Sequence, residues 1–136
     1  MVPSRDEIET KLHAFFATDA HGARVVYLFG SVAREAAGND SDVDVAVLLE
    51  EDPPASFAGL PLDLEGELER LLGRPVDVVV LNRAPVDLVH RVLRDSRLVV
   101  ETDRSARIAF ETRARSEYFD LLPTLLRYRR LEGTTG

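Results

Sequence analysis

Gly30 and Ser31 are followed, after ten intervening residues, by the run Asp42-Val43-Asp44, and this spacing constrains the 136-residue chain more than any other feature. Side chains alternate between the two faces of a strand, so Asp42 and Asp44 point the same way. Two adjacent carboxylates repel each other and are costly to bury without a cation. A glycine-serine turn before a helix offers backbone N–H groups and a hydroxyl to a phosphate. The combination therefore indicates nucleotide chemistry that depends on a divalent metal.

A third carboxylate, that of Asp77, interrupts an otherwise apolar run that predicts a strand over residues 76–81. A lone aspartate in a buried strand needs a partner. If this strand is the neighbour of a strand over residues 43–49, Asp77 joins Asp42 and Asp44 on one face of the sheet. Three carboxylates around one point suit Mg²⁺, with phosphate oxygens and water completing the shell. Two such ions would activate an attacking oxygen and stabilise a leaving pyrophosphate.

The hydrophobic pattern predicts helices and strands that alternate along a single domain, residues 1–136. Helices are expected over 4–17, 32–37, 62–72, 85–94 and 103–131, and strands over 25–29, 43–49, 76–81 and 97–101. This order predicts an α/β (α+β) fold of about four strands packed by helices, with a core over about 24–102 and a long C-terminal helical segment over about 103–131. Pro123 is expected to kink the last helix or divide it in two.

The charge of −7 is unevenly distributed and disfavours a general nucleic-acid binder. Residues 1–103 hold 10 basic and 20 acidic side chains, whereas residues 104–136 hold 7 basic and 4 acidic ones. The basic segment is either a docking surface for an acidic partner or a solvated helix face. The chain has no cysteine, no apolar run near twenty residues and a polar N-terminus, so we expect no disulfide, no membrane span and a cytoplasmic location.

Gly-Ser, ten residues, Asp-x-Asp and a third aspartate on a later strand together resemble the nucleotidyltransferase superfamily headed by DNA polymerase beta. Residues 30–49, which read GSVAREAAGNDSDVDVAVLL, look like its minimal branch, the MNT-domain proteins. The resemblance covers about residues 24–102. It implies a short mixed sheet packed against helices, with the carboxylates at one edge of the sheet.

The same resemblance implies a role for each residue of the motif. Asp42 and Asp44 would bind the Mg²⁺ of Mg-ATP, and Asp77 would be a third ligand that also helps to deprotonate the acceptor hydroxyl. Gly30 and Ser31 would hold the triphosphate. Arg34, one helical turn later, is either a further phosphate contact or an ordinary surface residue of the helix.

The reaction that the resemblance implies is in-line attack of an acceptor oxygen on the α-phosphate of ATP, with pyrophosphate leaving. Small stand-alone members of the branch are typically antitoxins that transfer AMP to a tyrosine of a HEPN-domain RNase toxin. We therefore expect a HEPN toxin and ATP as partners, with no membrane and no direct nucleic-acid contact. A homo- or hetero-oligomer is compatible with this expectation.

Two other functions are compatible with the sequence. The chain would act as a binding-only antitoxin if it occluded its toxin without modifying it. It would act as a small-molecule nucleotidyltransferase, of the aminoglycoside-modifying type, if an oligomer supplied the acceptor pocket. The three aspartates argue against the first alternative, and the absence of a second domain in the sequence argues against the second.

Overall fold

Helices and strands alternate throughout the part of the chain that the computed structural model describes, which is residues 4–35, 42–52 and 59–135. The elements are α1 (Arg5–Thr18), β1 (Ala23–Phe29), α2 (Gly30–Ala33), β2 (Val43–Leu49), α3 (Gly59–Leu72), β3 (Val76–Val80), a 3-10 turn (Leu81–Arg83), α4 (Val86–Asp95), β4 (Arg97–Glu101) and α5 (Arg104–Thr135). The expected alternation is confirmed, and most boundaries fall within a few residues of those predicted.

The four strands form one sheet in the order β3-β2-β1-β4. Strand β1 is antiparallel to both β2 and β4, whereas β2 and β3 are parallel, so the expected mixed sheet is confirmed. The register pairs Phe29 with Asp44, Asp44 with Asp77, and Leu28 with Arg97. The last residues of β1 and the first residues of the other strands therefore meet at one end of the sheet, which we call the carboxylate end.

One face of the sheet is covered by α1 and α3. Ser4 caps α1, because its hydroxyl accepts a hydrogen bond of 3.2 Å from the backbone N–H of Glu7. The buried side chains of this layer are Ile8, Leu12 and Phe16 from α1, Leu64, Leu68 and Leu72 from α3, and Val26, Leu28, Val43, Val45, Val47, Val76 and Val78 from the strands. Their burial is the main source of stability for this half of the molecule.

The opposite face is covered by α4 and α5, which both run towards the carboxylate end. Helix α4 ends at Asp95, directly before β4 begins there. Helix α5 begins at the far end, where the backbone N–H of Thr102 donates to the carbonyl of Arg24 over 2.8 Å. The buried residues of this layer are Val25, Tyr27, Ala46, Leu48, Leu81, Val89, Val92, Phe110 and Ala114.

Helix α5 is longer than the sheet that it covers. None of the described residues 115–131 is buried, although the residues before them include Phe110 and Ala114 in the core. The helix is continuous through Pro123, so the expectation that proline would divide it is wrong, although the missing N–H removes one helical hydrogen bond. At 1.5 Å per residue the 32 residues of α5 span about 48 Å, whereas the seven residues of β1 span about 23 Å, so the helix projects past the carboxylate end. Across the described residues, no helix combines the length and apolar character that crossing a bilayer requires.

A partly buried polar contact joins α5 to the centre of the sheet. The Tyr27 hydroxyl donates to Glu111 Oε1 over 2.8 Å, and Glu111 also accepts from Arg107 over 3.1 Å. Burial, followed by the hydrogen bond and the charge of Glu111, raises the pKa of Tyr27 far above its ordinary value near 10. The phenol therefore stays protonated in the folded protein at pH values where the unfolded chain ionises.

Tyr27→Phe is expected to lower the free energy of unfolding by about 1 kcal/mol at pH 7, because one hydrogen bond is lost. The raised pKa contributes stability that is complete below about pH 10 and declines as the pH rises above it, since only the unfolded chain then loses a proton. The variant should therefore lose less stability than the wild type between pH 9 and pH 11. Urea denaturation at both pH values measures this. Equal losses of unfolding free energy in the two proteins would contradict a raised pKa of Tyr27 in the folded state.

Candidate active site

The site begins at the turn between β1 and α2, where the chain approaches Asp44 very closely. Gly30 has a φ of +77°, in the left-handed region that side chains disfavour. A Cβ atom at this position would lie 2.1 Å from Asp44 Oδ2, so there is no room for a side chain. Ser31, which is half-buried, follows in the first turn of α2. The conformation and the close approach together require glycine here.

Helix α2 is shorter than expected, since it spans Gly30–Ala33 rather than 32–37. Glu35 stops it by adopting a left-handed φ of 57°, and Arg5 holds this end through an ion pair of 3.5 Å with Glu35. Residues 36 and 37 lie outside the described residues. A single turn has almost no macrodipole, so the groups available to a phosphate are individual N–H donors and the Ser31 hydroxyl.

The carboxylates lie on the face of the sheet that α4 and α5 cover. Asp44 is flanked by Phe29 on β1 and Asp77 on β3, and Asp42 precedes β2 by one residue. Asp42 and Asp77 are exposed, whereas Asp44 is partly buried. Burial first, and then the charges of Asp77 and Asp42, raise the pKa of Asp44, while Arg34 partly offsets this rise. The structure thus brings the three predicted aspartates together as a centre of excess negative charge.

The donor set is that of a hard cation. Among the described residues, no three histidine, aspartate or glutamate side chains are grouped closely enough to hold a metal ion by themselves. Mg²⁺ in nucleotide-dependent enzymes usually takes only one or two carboxylates, and substrate phosphates and water complete its shell. Asp42 and Asp44 supply two carboxylates beside the Gly30 turn, so the residues fit Mg²⁺ together with ATP. A third ligand role for Asp77 stays a prediction.

Arg34 leaves the end of α2 and lies between two acidic groups. Its Nη1 atom is 3.9 Å from Asp95 Oδ2, and its charge acts on Asp44. Asp95 also accepts from Arg94 Nη2 over 3.0 Å, and this bond is the main reason that the pKa of Asp95 is lowered. The side chain of Arg34 is thus half-exposed beside the carboxylates. A phosphate bound there would compete with Asp95 for the guanidinium group.

Asp95 was not predicted as part of the site, although the sequence holds a signal for it. It is the last residue of α4, where a carboxylate faces the negative end of the helix dipole. An acidic residue at such a position needs a cationic partner, and Asp95 forms ion pairs with both Arg94 and Arg34. Only the tertiary structure shows that Arg34, sixty-one residues earlier in the sequence, is one of them.

Comparison with known proteins agrees with this arrangement. The family model for polymerase beta nucleotidyltransferases matches residues 10–105. The protein adenylyltransferase MntA of Thermococcus cleftensis is 37% identical over 92 residues, which are 66% of this chain and 90% of that relative. A solved minimal nucleotidyltransferase is 38% identical, with a TM-score of 0.52 over 68% of this chain and 89% of its own.

Two solved toxin–antitoxin structures share the fold over nearly the whole chain. A chain of a complex with AMP-PNP aligns with a TM-score of 0.75 at 22% identity, over 94% of this chain and 98% of that one. A chain of the complex between tri-AMPylated HEPN toxin of Shewanella oneidensis and its MNT antitoxin aligns with a TM-score of 0.71 at 20% identity, over 97% and 99%. The glycine turn, the paired aspartates and the family match over most of the sequence lead to one conclusion: this chain belongs to the polymerase beta nucleotidyltransferase family.

Proposed function

We propose that this protein transfers AMP from ATP to a tyrosine hydroxyl of a HEPN-domain RNase toxin and thereby acts as its antitoxin. The observation that carries the proposal is the contact of Gly30 with Asp44, which places a phosphate-facing turn against a carboxylate pair. The relative named protein adenylyltransferase and the fold shared with toxin–antitoxin structures support the choice of a protein acceptor. Because the reaction consumes ATP, we place it in the cytoplasm.

The chemistry is a phosphoryl-group displacement. The acceptor oxygen forms a bond to the α-phosphorus of ATP, the bond from that phosphorus to the bridging oxygen breaks, and pyrophosphate leaves. Gly30 and Ser31 orient the triphosphate through N–H groups and a hydroxyl, and Arg34 exchanges its contact with Asp95 for a phosphate oxygen. Asp77, exposed next to Asp44, receives the proton of the acceptor hydroxyl. Most of the rate enhancement then comes from positioning and charge stabilisation.

Magnesium completes this site in the proposal. Asp42 and Asp44 would hold it together with phosphate oxygens, and we propose two ions. When bound, Mg²⁺ neutralises the triphosphate and stabilises the leaving pyrophosphate. Burial, and then the charges of Asp77 and Asp42, raise the pKa of Asp44, and a divalent cation would compensate for both causes.

The distal part of α5, residues 122–131, is the proposed contact with the toxin. It projects past the carboxylate end, so a protein bound along it lies next to the site. Its exposed apolar residues are Leu126, Tyr128 and Leu131, and Arg127, Arg129 and Arg130 lie between them. Exposed apolar side chains rimmed by charge are typical of protein-interaction surfaces. We call these three apolar residues the docking surface.

Leu126→Glu combined with Leu131→Glu is expected to weaken the complex with the toxin at least about tenfold, because two apolar contacts become unpaired charges. Affinity for ATP should not change, since neither residue is near the carboxylates. Isothermal titration with each ligand tests both statements. Ile108→Glu is the matched control, because it is also exposed on α5 but at the opposite end of the sheet. A double variant that binds the toxin as tightly as the wild type would disprove the docking surface.

The proposed reaction is tested by intact-mass spectrometry of the HEPN-domain protein encoded beside this chain. The mass of the toxin is measured after its co-expression with the wild-type chain or with the Asp42→Ala/Asp44→Ala variant. A gain of AMP-sized units that depends on both aspartates is the expected result. Unmodified toxin in a stable complex would favour the binding-only antitoxin. Pyrophosphate release with an aminoglycoside and no protein acceptor would favour the small-molecule enzyme.

A further inference from the structure

A cavity of about 210 Å³ lies between α4 and α5, outside the residues that the proposed reaction uses. It is lined by His90, Leu93, Arg94, Ala114, Arg115, Tyr118 and Phe119. The rings of His90 and Tyr118 stack in parallel, with centroids 3.5 Å apart and an interplanar angle of 2°. Phe119, one of these lining residues, is 67% exposed, which is costly for so large an apolar ring. The lining holds no carboxylate.

This cavity adjoins the carboxylate end through a chain of charged contacts. Arg94 in its wall is hydrogen-bonded to Asp95, and Asp95 is 3.9 Å from Arg34, whose charge reaches Asp44. Because α4 and α5 cover the face of the sheet that carries the three aspartates, the cavity lies on the same side of the sheet as they do. A ligand with its phosphates at the Gly30 turn could therefore extend into the cavity.

We propose that this cavity receives the nucleobase of ATP, with Phe119 as its stacking platform. The inference rests on the proposed function and adds to it the residues that bind the base. Aromatic rings and guanidinium groups bind the flat face of a base through stacking and cation–π contacts. The volume equals that of roughly seven water molecules at ~30 Å³ each, which is enough for a flat bicyclic ring. The lining offers three aromatic rings and two guanidinium groups, whose flat faces suit stacking against a base.

The alternative occupant is a side chain of the toxin next to the acceptor tyrosine. The acceptor hydroxyl must reach the α-phosphate, which lies at the carboxylates. The contacts of Arg94 with Asp95 and of Asp95 with Arg34 lie between the cavity and the carboxylates. In ATP, the ribose lies between the base and the α-phosphate in the same way. The nucleobase of ATP lies at a distance from the α-phosphorus, whereas the acceptor hydroxyl must reach it. The base therefore matches the position of the cavity better than a side chain next to the acceptor does.

The test compares the binding of AMP-PNP and of tripolyphosphate, both with Mg²⁺ and without any acceptor, by isothermal titration. Phe119→Ala and Phe119→Leu are expected to lower the affinity for AMP-PNP roughly tenfold and to leave the affinity for tripolyphosphate unchanged. Only AMP-PNP has a base that can stack on the ring. Phe119→Tyr should restore the affinity for AMP-PNP. Ile108→Ala, which removes another exposed apolar side chain of α5, should change neither affinity.

Other outcomes would overturn the inference in distinguishable ways. AMP-PNP affinity that is unchanged in Phe119→Ala would exclude the base from the cavity. If the same variant raised only the KM for the toxin, the cavity would belong to the acceptor. Failure of the wild type to bind AMP-PNP at all would overturn the proposed function and this inference together. Since Phe119 is exposed, these substitutions should not impair folding.

Discussion

Gly30→Ala is expected to reduce AMP transfer at least about a hundredfold and to lower the free energy of unfolding by about 3 kcal/mol. The methyl group would occupy a position 2.1 Å from Asp44 Oδ2, so the carboxylate or the turn must move. Either movement separates the N–H donors of the turn, which are proposed to hold the triphosphate, from the carboxylate pair. The backbone conformation at φ +77° adds its own cost. Initial rates on purified toxin and urea denaturation of the isolated chain measure the two effects.

Two other glycines separate the effect of the contact from that of the backbone. Gly22 and Gly73 have φ values of +79° and +69°, but nothing lies within 4 Å of the position of their missing Cβ. Gly22→Ala and Gly73→Ala should each cost about 1 kcal/mol of stability and leave the rate of transfer unchanged. If all three variants behaved alike, the close approach of Gly30 to Asp44 would have no role in catalysis.

Asp44→Asn should abolish transfer, with a fall of about a thousandfold or more in rate, because one of the two carboxylates proposed to bind magnesium is lost while the shape beside Gly30 is kept. The same change removes a charge that Asp77 and Asp42 repel. We therefore expect the variant to have a slightly higher Tm than the wild type when Mg²⁺ and ATP are absent. Opposite changes in activity and stability are characteristic of a functional charge cluster.

Asp63→Asn provides the control for this substitution. Asp63 is an exposed carboxylate of α3, the helix on the other face of the sheet. Its neutralisation should alter neither the rate of transfer nor the Tm by a measurable amount. Rates with excess Mg-ATP and thermal melts in EDTA give the comparison. An active Asp44→Asn enzyme, or one whose Tm falls, would show that Asp44 is not the centre of the charged site.

The parts of this protein that could be predicted from the sequence are those with local causes. Short apolar runs define β2 and β3, the 3.6-residue period defines α1 and α3, and Ser4 with Glu7 marks where the first helix begins. The motif of Gly30, Ser31, Asp42 and Asp44 was sufficient to indicate a nucleotidyltransferase. Each of these signals lies within a few residues of the structure that it predicts.

The length of α2 was predicted incorrectly because it depends on context, and of the two outcomes expected at Pro123, a kink or a division of α5, the division does not occur. Alanine and glutamate favour helix in isolation, yet Glu35 adopts a left-handed conformation where Arg5, from another helix, holds it. Pro123 disfavours helix, yet α5 continues through it. A helix preference as small as that of Glu35, below about 1 kcal/mol, is readily outweighed by its surroundings.

The sequence by itself determined which chemical groups this protein has: a glycine turn, three aspartates with two on the same side of one strand, and a long basic helix. The tertiary structure alone decided which of them meet. Parallel pairing of β2 with β3 sets Asp77 beside Asp44, and the return of α4 to the carboxylate end brings Asp95 to Arg34. These contacts join residues 33 and 61 positions apart, and such pairings depend on packing and strand register, which no local pattern encodes.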